Sequence, residues 1–173
     1  MNCQRNRGRR GQSVLEFTLV GIPIIFVLIS TWEMTRGMWL YHTLAYAIKS
    51  GTRYAIVHGQ NCTLASNSCA VTISQIAGVI QRAGIGLPPD SVALTFTPAK
   101  GNVTTCTLND CIGNYTSVYW PPPSANAVGN KLKISGVVPF QSVIVMFWPG
   151  AGKIAGSPST LNFSAASLES IQY

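Results

Sequence analysis

Charged residues are scarce in this 173-residue chain: they make up 10% of it, and only five of them are acidic. Four of its twelve Lys and Arg residues are Arg5, Arg7, Arg9 and Arg10 at the N-terminus. Without these four, eight basic and five acidic residues leave a net charge of only +3. A nucleic-acid-binding domain normally carries a clustered basic footprint on its fold. The sequence therefore argues against nucleic acid as a partner.

Motifs of the common enzyme classes are missing as well. The segment Gly150–Lys153 is similar to part of a phosphate-binding loop, but Phe147 takes the place of the first glycine and Ile154 the place of the magnesium-binding Ser or Thr. No Gly-x-Ser-x-Gly elbow and no His-Glu-x-x-His motif occurs. His42 and His58 have no partner at a catalytic spacing. We therefore expect no enzyme activity, no catalytic residue, no cofactor and no metal.

Cysteine is limited to five residues, and four of them form two close pairs. Cys3 is near the N-terminus, and the pairs are Cys62 with Cys69 and Cys106 with Cys111. Outside the cytoplasm such an even set forms disulfides. Three connectivities are open, of which we favour the two local pairs. A four-thiolate zinc site is the alternative, but the wide first spacing does not suit it.

The N-terminus combines a basic stretch, a glycine and a long apolar run. Uncharged residues extend from Phe17 through Trp32, and Ile24–Ile29 are apolar on all sides, which disfavours a helix buried in a soluble core. With the apolar residues just before it, this run approaches the about 20 residues that span a bilayer. We expect a transmembrane segment at about residues 14–32. The arginines before it are expected to stay in the cytoplasm, with the rest of the chain exported.

Glu16 is a carboxylate inside this segment. An ionisable side chain costs roughly 2.5 kcal/mol or more at the bilayer centre, so its presence there is a hypothesis of function. The alternative is that Glu16, close to the start of the run, reaches the polar interface at a lower cost.

The helical pattern continues beyond Trp32. Small and apolar residues recur at alternating steps of four and three, as on one face of a helix: Met34, Met38, Tyr41, Ala45, Ile48, Thr52 and Ala55. We expect one helix over residues 12–58, with its first half in lipid and its second half laid on an exported domain, 59–173. Pro23 removes a backbone donor, so a kink or local unwinding is expected between Leu19 and Pro23.

The exported part has the pattern of a small α+β domain, with a helix followed by an antiparallel sheet. The expected elements are a helix at Thr72–Ala83 and strands at Ser91–Thr97, Lys131–Val138 and Leu161–Ala166. Asn102–Ser124 is rich in Asn, Thr, Cys and Pro, so we expect an exposed, disulfide-clipped loop with a short strand at Val118–Trp120. Val143–Trp148 is expected to form a buried apolar turn or short helix.

The residues around Glu16 resemble a known family. Gly11-Gln12-Ser13-Val14-Leu15-Glu16-Phe17-Thr18-Leu19-Val20, between the arginine-rich leader and Pro23, resembles the processing site of type IV pilin-like precursors. More narrowly, it is similar to the TadE-like (TadE/TadG) minor pilins or pseudopilins of tight-adherence (Flp) pilus systems. The resemblance is strongest over about the first sixty residues. Val137–Phe140 and Leu161–Ser167 weakly resemble later strands of the family.

The resemblance implies a processing and assembly pathway. Residues 1–11 would be a cytoplasmic leader, a prepilin peptidase would cut between Gly11 and Gln12, and Glu16 would then act in assembly. The implied partners are the prepilin peptidase, the inner-membrane pilus platform, other pilin or pseudopilin subunits and the membrane. The implied location is the bacterial inner membrane, as a single-pass protein with a cytoplasmic N-terminus and an exported C-terminal domain, or an extracellular pilus after assembly.

Two functions remain open from the sequence. The first is a non-enzymatic pseudopilin or minor pilin of Tad/Flp pilus assembly, with roles in filament formation, adhesion or secretion. The alternative is a single-pass, membrane-anchored periplasmic or extracellular binding module that is not processed. The N-terminus of the mature chain distinguishes them.

Overall fold

A computed structural model of the chain describes residues 9–59, 71–142 and 160–172, with the backbone alone for residues 9–11 and 160. In chain order its elements are α1 (Arg9–Ile56), α2 (Ile73–Ala83), β1 (Ala93–Thr97), β2 (Thr104–Thr107), α3 (Leu108–Asn114), a 3₁₀ turn (Pro123–Ala125), β3 (Lys131–Gln141) and β4 (Thr160–Ser170). The chain divides into two compact units, Met1–Arg36 and Gly37–Tyr173. The fold class is α+β, as predicted.

The long N-terminal helix is confirmed. α1 is 48 residues long and ends at Ile56, two residues before the expected end. Residues 19–23 stay helical around Pro23, so the expected local unwinding is wrong. Proline removes one backbone donor, and the intact turns on both sides keep the helix wound.

Four antiparallel strands form one sheet in the order β2-β1-β3-β4. β3 and β4 pair along their whole length, from Lys131 opposite Ser170 to Gln141 opposite Thr160. Along β3, buried and more exposed residues alternate, so one face of the sheet belongs to the core. All three predicted strands are confirmed, and the last two extend further than the sequence indicated.

The second half of α1 packs on the inner face of this sheet, as predicted. Leu44 and Ile48 are fully buried. A Cβ on Gly136 of β3 would lie 2.8 Å from Ile48 Cδ1 and 3.2 Å from Leu44 Cδ1. Glycine at position 136 therefore lets the two large side chains touch the backbone of the strand. Each buried Leu or Ile stabilises the fold by about 1.5–3 kcal/mol.

α2 begins where a capping box satisfies its first backbone donors. The Thr72 hydroxyl accepts from the Gln75 amide at 3.3 Å, and Gln75 Oε1 accepts from the Thr72 amide at 3.1 Å. The helix ends where the Gly84 amide donates to the Ile80 carbonyl at 2.8 Å. Its buried face consists of Ile73, Ile76, Ala77 and Ile80.

The expectation of an exposed loop at Asn102–Ser124 is wrong for part of that segment. β2 adds an edge strand to β1, with Thr104 opposite Phe96. α3 follows at once, because the Thr107 hydroxyl accepts from the Asp110 amide and caps it. Leu108 and Cys111 are fully buried. β2 and α3 therefore contribute to the core, and the rest of the segment does not form a helix or strand apart from the 3₁₀ turn.

The short strand expected at Val118–Trp120 is reduced to a single bridge between Thr72 and Tyr119. Trp120 is buried, and its ring meets Phe96 edge-on with the ring centroids 5.4 Å apart. The turn or helix expected at Val143–Trp148 lies outside the described residues.

Candidate functional site

The predicted processing and assembly residues lie in the first two turns of α1. Gly11 has a helical backbone, and Gln12 and Glu16 follow it on exposed helix. Gln12 Nε2 donates a hydrogen bond to Glu16 Oε1 at 3.2 Å, as residues four apart on a helix can. The structure therefore brings Gln12 and Glu16 together on one face.

The Glu16 carboxylate keeps most of its hydrogen-bonding capacity. An ionised carboxylate has about four acceptor positions. Among the described residues, the Gln12 amide is the only side chain that donates to it. That amide is neutral, so it does not compensate the negative charge of an ionised Glu16. A cation brought to this face of the helix would find an exposed acceptor.

The helix around this pair has an apolar, unburied surface. α1 is the one described helix long and apolar enough to cross a membrane, with a mean hydropathy of 2.2 over its best window and none of that window buried. Large apolar side chains face outward on every side: Val14, Leu15, Phe17, Leu19, Val20, Ile22, Ile24, Ile25, Phe26, Val27 and Leu28. The helix is therefore long and apolar enough to contain the predicted transmembrane segment.

Polar groups within this helix are satisfied by the helix itself. The Thr31 hydroxyl donates to the Val27 carbonyl at 2.8 Å, and the Thr35 hydroxyl donates to the Thr31 carbonyl at 2.8 Å. A hydroxyl that donates to a carbonyl of its own helix has a hydrogen-bond partner even where no water is available. Gly21, in the same helix, has space beside it for a side chain. A Cβ at position 21 would approach Phe17 Cε1 alone among the described atoms, at 3.9 Å.

A second carboxylate, Glu33, escaped the sequence reasoning. It directly follows Trp32 and is 7% exposed, and its Oε1 lies 3.5 Å from Arg36 Nη1. A buried charge needs a partner, and the spacing of three residues supplies one on the same helix face. An acid followed three positions later by an arginine, at the end of an apolar run, is the signal that could have revealed the pair.

One of the two predicted disulfides lies in the described part of the chain. Cys106 of β2 and Cys111 of α3 are bonded, with their Cα atoms 5.4 Å apart, and both residues are buried. This bond takes two of the four thiols that the alternative zinc site would need. Cys62 and Cys69 lie outside the described residues.

Of the two histidines predicted to have no catalytic role, His42 lies on α1 and His58 lies two residues beyond its end. His58 Nδ1 is 2.6 Å from the Tyr54 carbonyl, and its ring packs on the Tyr54 ring. The His42 ring meets Tyr41 edge-on. Within the described ranges, no three His, Cys, Asp or Glu side chains cluster closely enough to hold a metal ion.

Comparison with protein families gives a match over most of α1. Residues 11–53 match the family described as TadE-like protein. Neither the curated proteins nor the solved structures include a match. The matched segment contains Gly11, Gln12 and Glu16 and extends into the part of α1 that packs on the sheet. Over this segment the chain is similar to the TadE-like family, as its motif indicated.

Proposed function

We propose that this protein is a non-enzymatic minor pilin or pseudopilin of a tight-adherence pilus system, because its residues 11–53 match the TadE-like family. The observation that carries the proposal is that the segment matching the family forms an apolar helix long enough to cross a membrane. The most apolar part of this helix is not buried in the isolated chain. Such a surface needs an apolar environment, which lipid supplies before assembly and neighbouring helices supply afterwards.

In this proposal α1 first anchors the protein in the inner membrane. The four leader arginines hold the N-terminus in the cytoplasm. The unit Gly37–Tyr173, with its buried disulfide, then lies on the exported side, where disulfides persist. The partners of the anchored form are the prepilin peptidase, the pilus platform and other pilin or pseudopilin subunits.

Cleavage between Gly11 and Gln12 would create a new charge beside Glu16. The freed amine would be that of Gln12, whose side chain already contacts Glu16. In related pilins the corresponding carboxylate is thought to pair with the new amine of a neighbouring subunit. A buried charge is tolerable only when it is paired, so the same pair would join one subunit to the next.

The test is the mass of the mature chain. Membrane-purified protein from cells with the whole assembly system should begin at Gln12, and Gly11→Val should keep residues 1–11 without impairing insertion. Gly113→Val is the matched control, since a Cβ at position 113 would meet nothing within 4 Å. It should be trimmed normally.

The alternative is an anchored binding module that is never processed. A wild-type chain that retains residues 1–11 in cells with a functional peptidase would favour this alternative. A wild-type chain that begins at Gln12 would exclude it.

A further inference from the structure

One face of α1 within the unit Gly37–Tyr173 points away from the core. Leu44 and Ile48 on the other side of the helix are fully buried. The outward face carries five exposed residues that recur at alternating steps of three and four: Trp39, His42, Tyr46, Lys49 and Arg53. These steps keep all five on one line along the helix. We call these five residues the outer stripe.

Two aromatic rings lie on the outer stripe at a fixed separation. Trp39 and Tyr46 are seven residues apart, which is almost two turns of helix and a rise of about 10 Å. Each is 65% exposed. A Cβ on Gly86 would lie 4.0 Å from Trp39 Nε1, so the turn at Gly86 lies beside the indole. The helix therefore presents two apolar rings in a rigid, linear array.

Two cations continue the outer stripe beyond the rings. Lys49 and Arg53 follow Tyr46 by three and seven residues. The acidic residues of this unit are Asp90, Asp110 and Glu169, all of which the structure describes, and none of them forms an ion pair with Lys49 or Arg53. The positive charge of the stripe is therefore available to an anion from outside the chain.

The order of rings and cations narrows the class of partner. The buried centre of a protein–protein interface is depleted of charged residues, whereas the outer stripe has a cation next to its aromatic residues. Single-stranded nucleic acid stacks successive bases on neighbouring aromatic rings, and rings about 10 Å apart are too far from each other for that. A linear polymer with widely spaced apolar faces and carboxylates fits the array better.

We propose that the outer stripe binds a linear acidic polysaccharide. The C–H face of a sugar ring is apolar and packs on an aromatic ring. The distance between Trp39 and Tyr46 is comparable to the length of one disaccharide, so the two rings meet every second sugar. The carboxylates of the following sugars then pair with Lys49 and Arg53, of which Arg can bind a carboxylate with two parallel hydrogen bonds. This ligand goes beyond the proposed function, and its binding can be measured whether or not the chain is trimmed at Gly11.

The test measures the affinity of a defined oligosaccharide. Full-length protein in phosphatidylcholine nanodiscs, which carry no net lipid charge, is immobilised, and an alginate hexamer of 1,4-linked uronates is passed over it in a surface plasmon resonance experiment. Trp39→Ala and Tyr46→Ala should each weaken binding by about fivefold or more, as truncation of an anchoring aromatic does. Trp39→Phe and Tyr46→Phe keep a ring and should retain most of the affinity.

The two cations are tested against a matched pair elsewhere. Lys49→Gln/Arg53→Gln should weaken binding by about threefold or more and reduce its dependence on salt. Lys131→Gln/Lys133→Gln removes the same charge from exposed positions of β3 and should bind as wild type does. Equal losses in the two double variants would mean that the hexamer responds to net charge alone, which would overturn the site.

Other ligands decide the chemical class. Tyr119→Ala, which removes an aromatic ring that is 56% exposed outside α1, should leave the affinity for the hexamer unchanged. A neutral cellulose hexamer, a polyglutamate peptide and a ten-nucleotide deoxythymidine strand should each bind more weakly than the alginate hexamer. If any of the three binds as tightly, or if the alginate hexamer does not bind, the acidic polysaccharide is rejected. A mature chain that begins at Gln12 would still support the proposed function in that case.

Discussion

Gly51 of α1 lies directly against Ile80 of α2: a Cβ at position 51 would be only 2.5 Å from Ile80 Cγ1 and 2.8 Å from its Cδ1. Ile80 is fully buried and cannot swing into solvent. The missing side chain of Gly51 is therefore what allows α2 to lie this close to α1. Interiors packed at crystal-like density do not absorb an extra methyl group there without strain.

We predict that Gly51→Ala destabilises the unit Gly37–Tyr173. Alanine gains about 1 kcal/mol of helix propensity over glycine, but overpacking of a buried contact costs about 1–3 kcal/mol. The melting temperature of detergent-solubilised protein, followed by near-ultraviolet circular dichroism, should fall.

The matched control is Gly78→Ala, also in a helix. A Cβ at position 78 would meet nothing within 4 Å, so only the propensity gain remains and the melting temperature should rise. Equal changes of the same sign for the two variants would contradict the close contact at Gly51.

Helix and strand periodicity predicted most of the fold because the long elements carry many repeats of their pattern. β3 alternates over eleven residues, and α1 repeats its apolar face over several turns. β2 has four residues and α3 has seven, too few for a period to stand out. Their place in the core depends on pairing with β1 and on the burial of Leu108, which are distant contacts that composition does not report.

The capping box of α2 gives a second prediction. Thr72→Ala removes the acceptor for the Gln75 amide and should cost about 1 kcal/mol of unfolding free energy. Thr72→Ser keeps the hydroxyl and should cost much less. Urea unfolding monitored by tryptophan emission measures both, since Trp120, one of four tryptophans, is buried on Phe96. Equal losses for the two variants would mean that the threonine methyl, and not the cap, stabilises the helix start.

The disulfide between β2 and α3 gives a third prediction. Replacing Cys106 and Cys111 by serine releases a short loop and should lower the free energy of unfolding by about 2 kcal/mol. Non-reducing peptide mapping of the mature protein should show local pairing of Cys106 with Cys111 and of Cys62 with Cys69, without alkylation. Alkylation at all four positions, or a cross-link between the two pairs, would contradict the local pairing.

The residues of the candidate site could be predicted from the sequence, whereas most of their contacts could not. Gly11 and Glu16 are defined by their spacing after the arginines, which needs no tertiary contact. The hydrogen bond from Gln12 to Glu16 follows from helical geometry, but its presence depends on the rotamers of two exposed side chains. The low exposed fraction of Glu33 is not indicated by any local sequence pattern.

The Glu16 carboxylate can take part in two interactions, and substitutions at positions 12 and 16 affect the two differently. One is the hydrogen bond accepted from the Gln12 side chain within the same helix. The other is the proposed charge pair with the amine of a neighbouring subunit. Glutamine at position 16 keeps an acceptor oxygen but loses the charge, and alanine at position 12 removes the side-chain donor but leaves the amine.

We therefore predict that Glu16→Gln and Glu16→Ala both insert into the membrane but enter the filament poorly, because losing one partner of a buried charge pair costs roughly 3–5 kcal/mol. Gln12→Ala should assemble nearly as well as wild type. The measurement is the ratio of sheared, filament-associated protein to membrane-bound protein at matched expression, with intact mass confirming trimming at Gly11 in each variant. If Glu16→Gln assembles normally, the carboxylate acts through its hydrogen bond and the charge pair is rejected. If Gln12→Ala fails as severely as Glu16→Ala while being trimmed, the contact within the helix is what assembly requires.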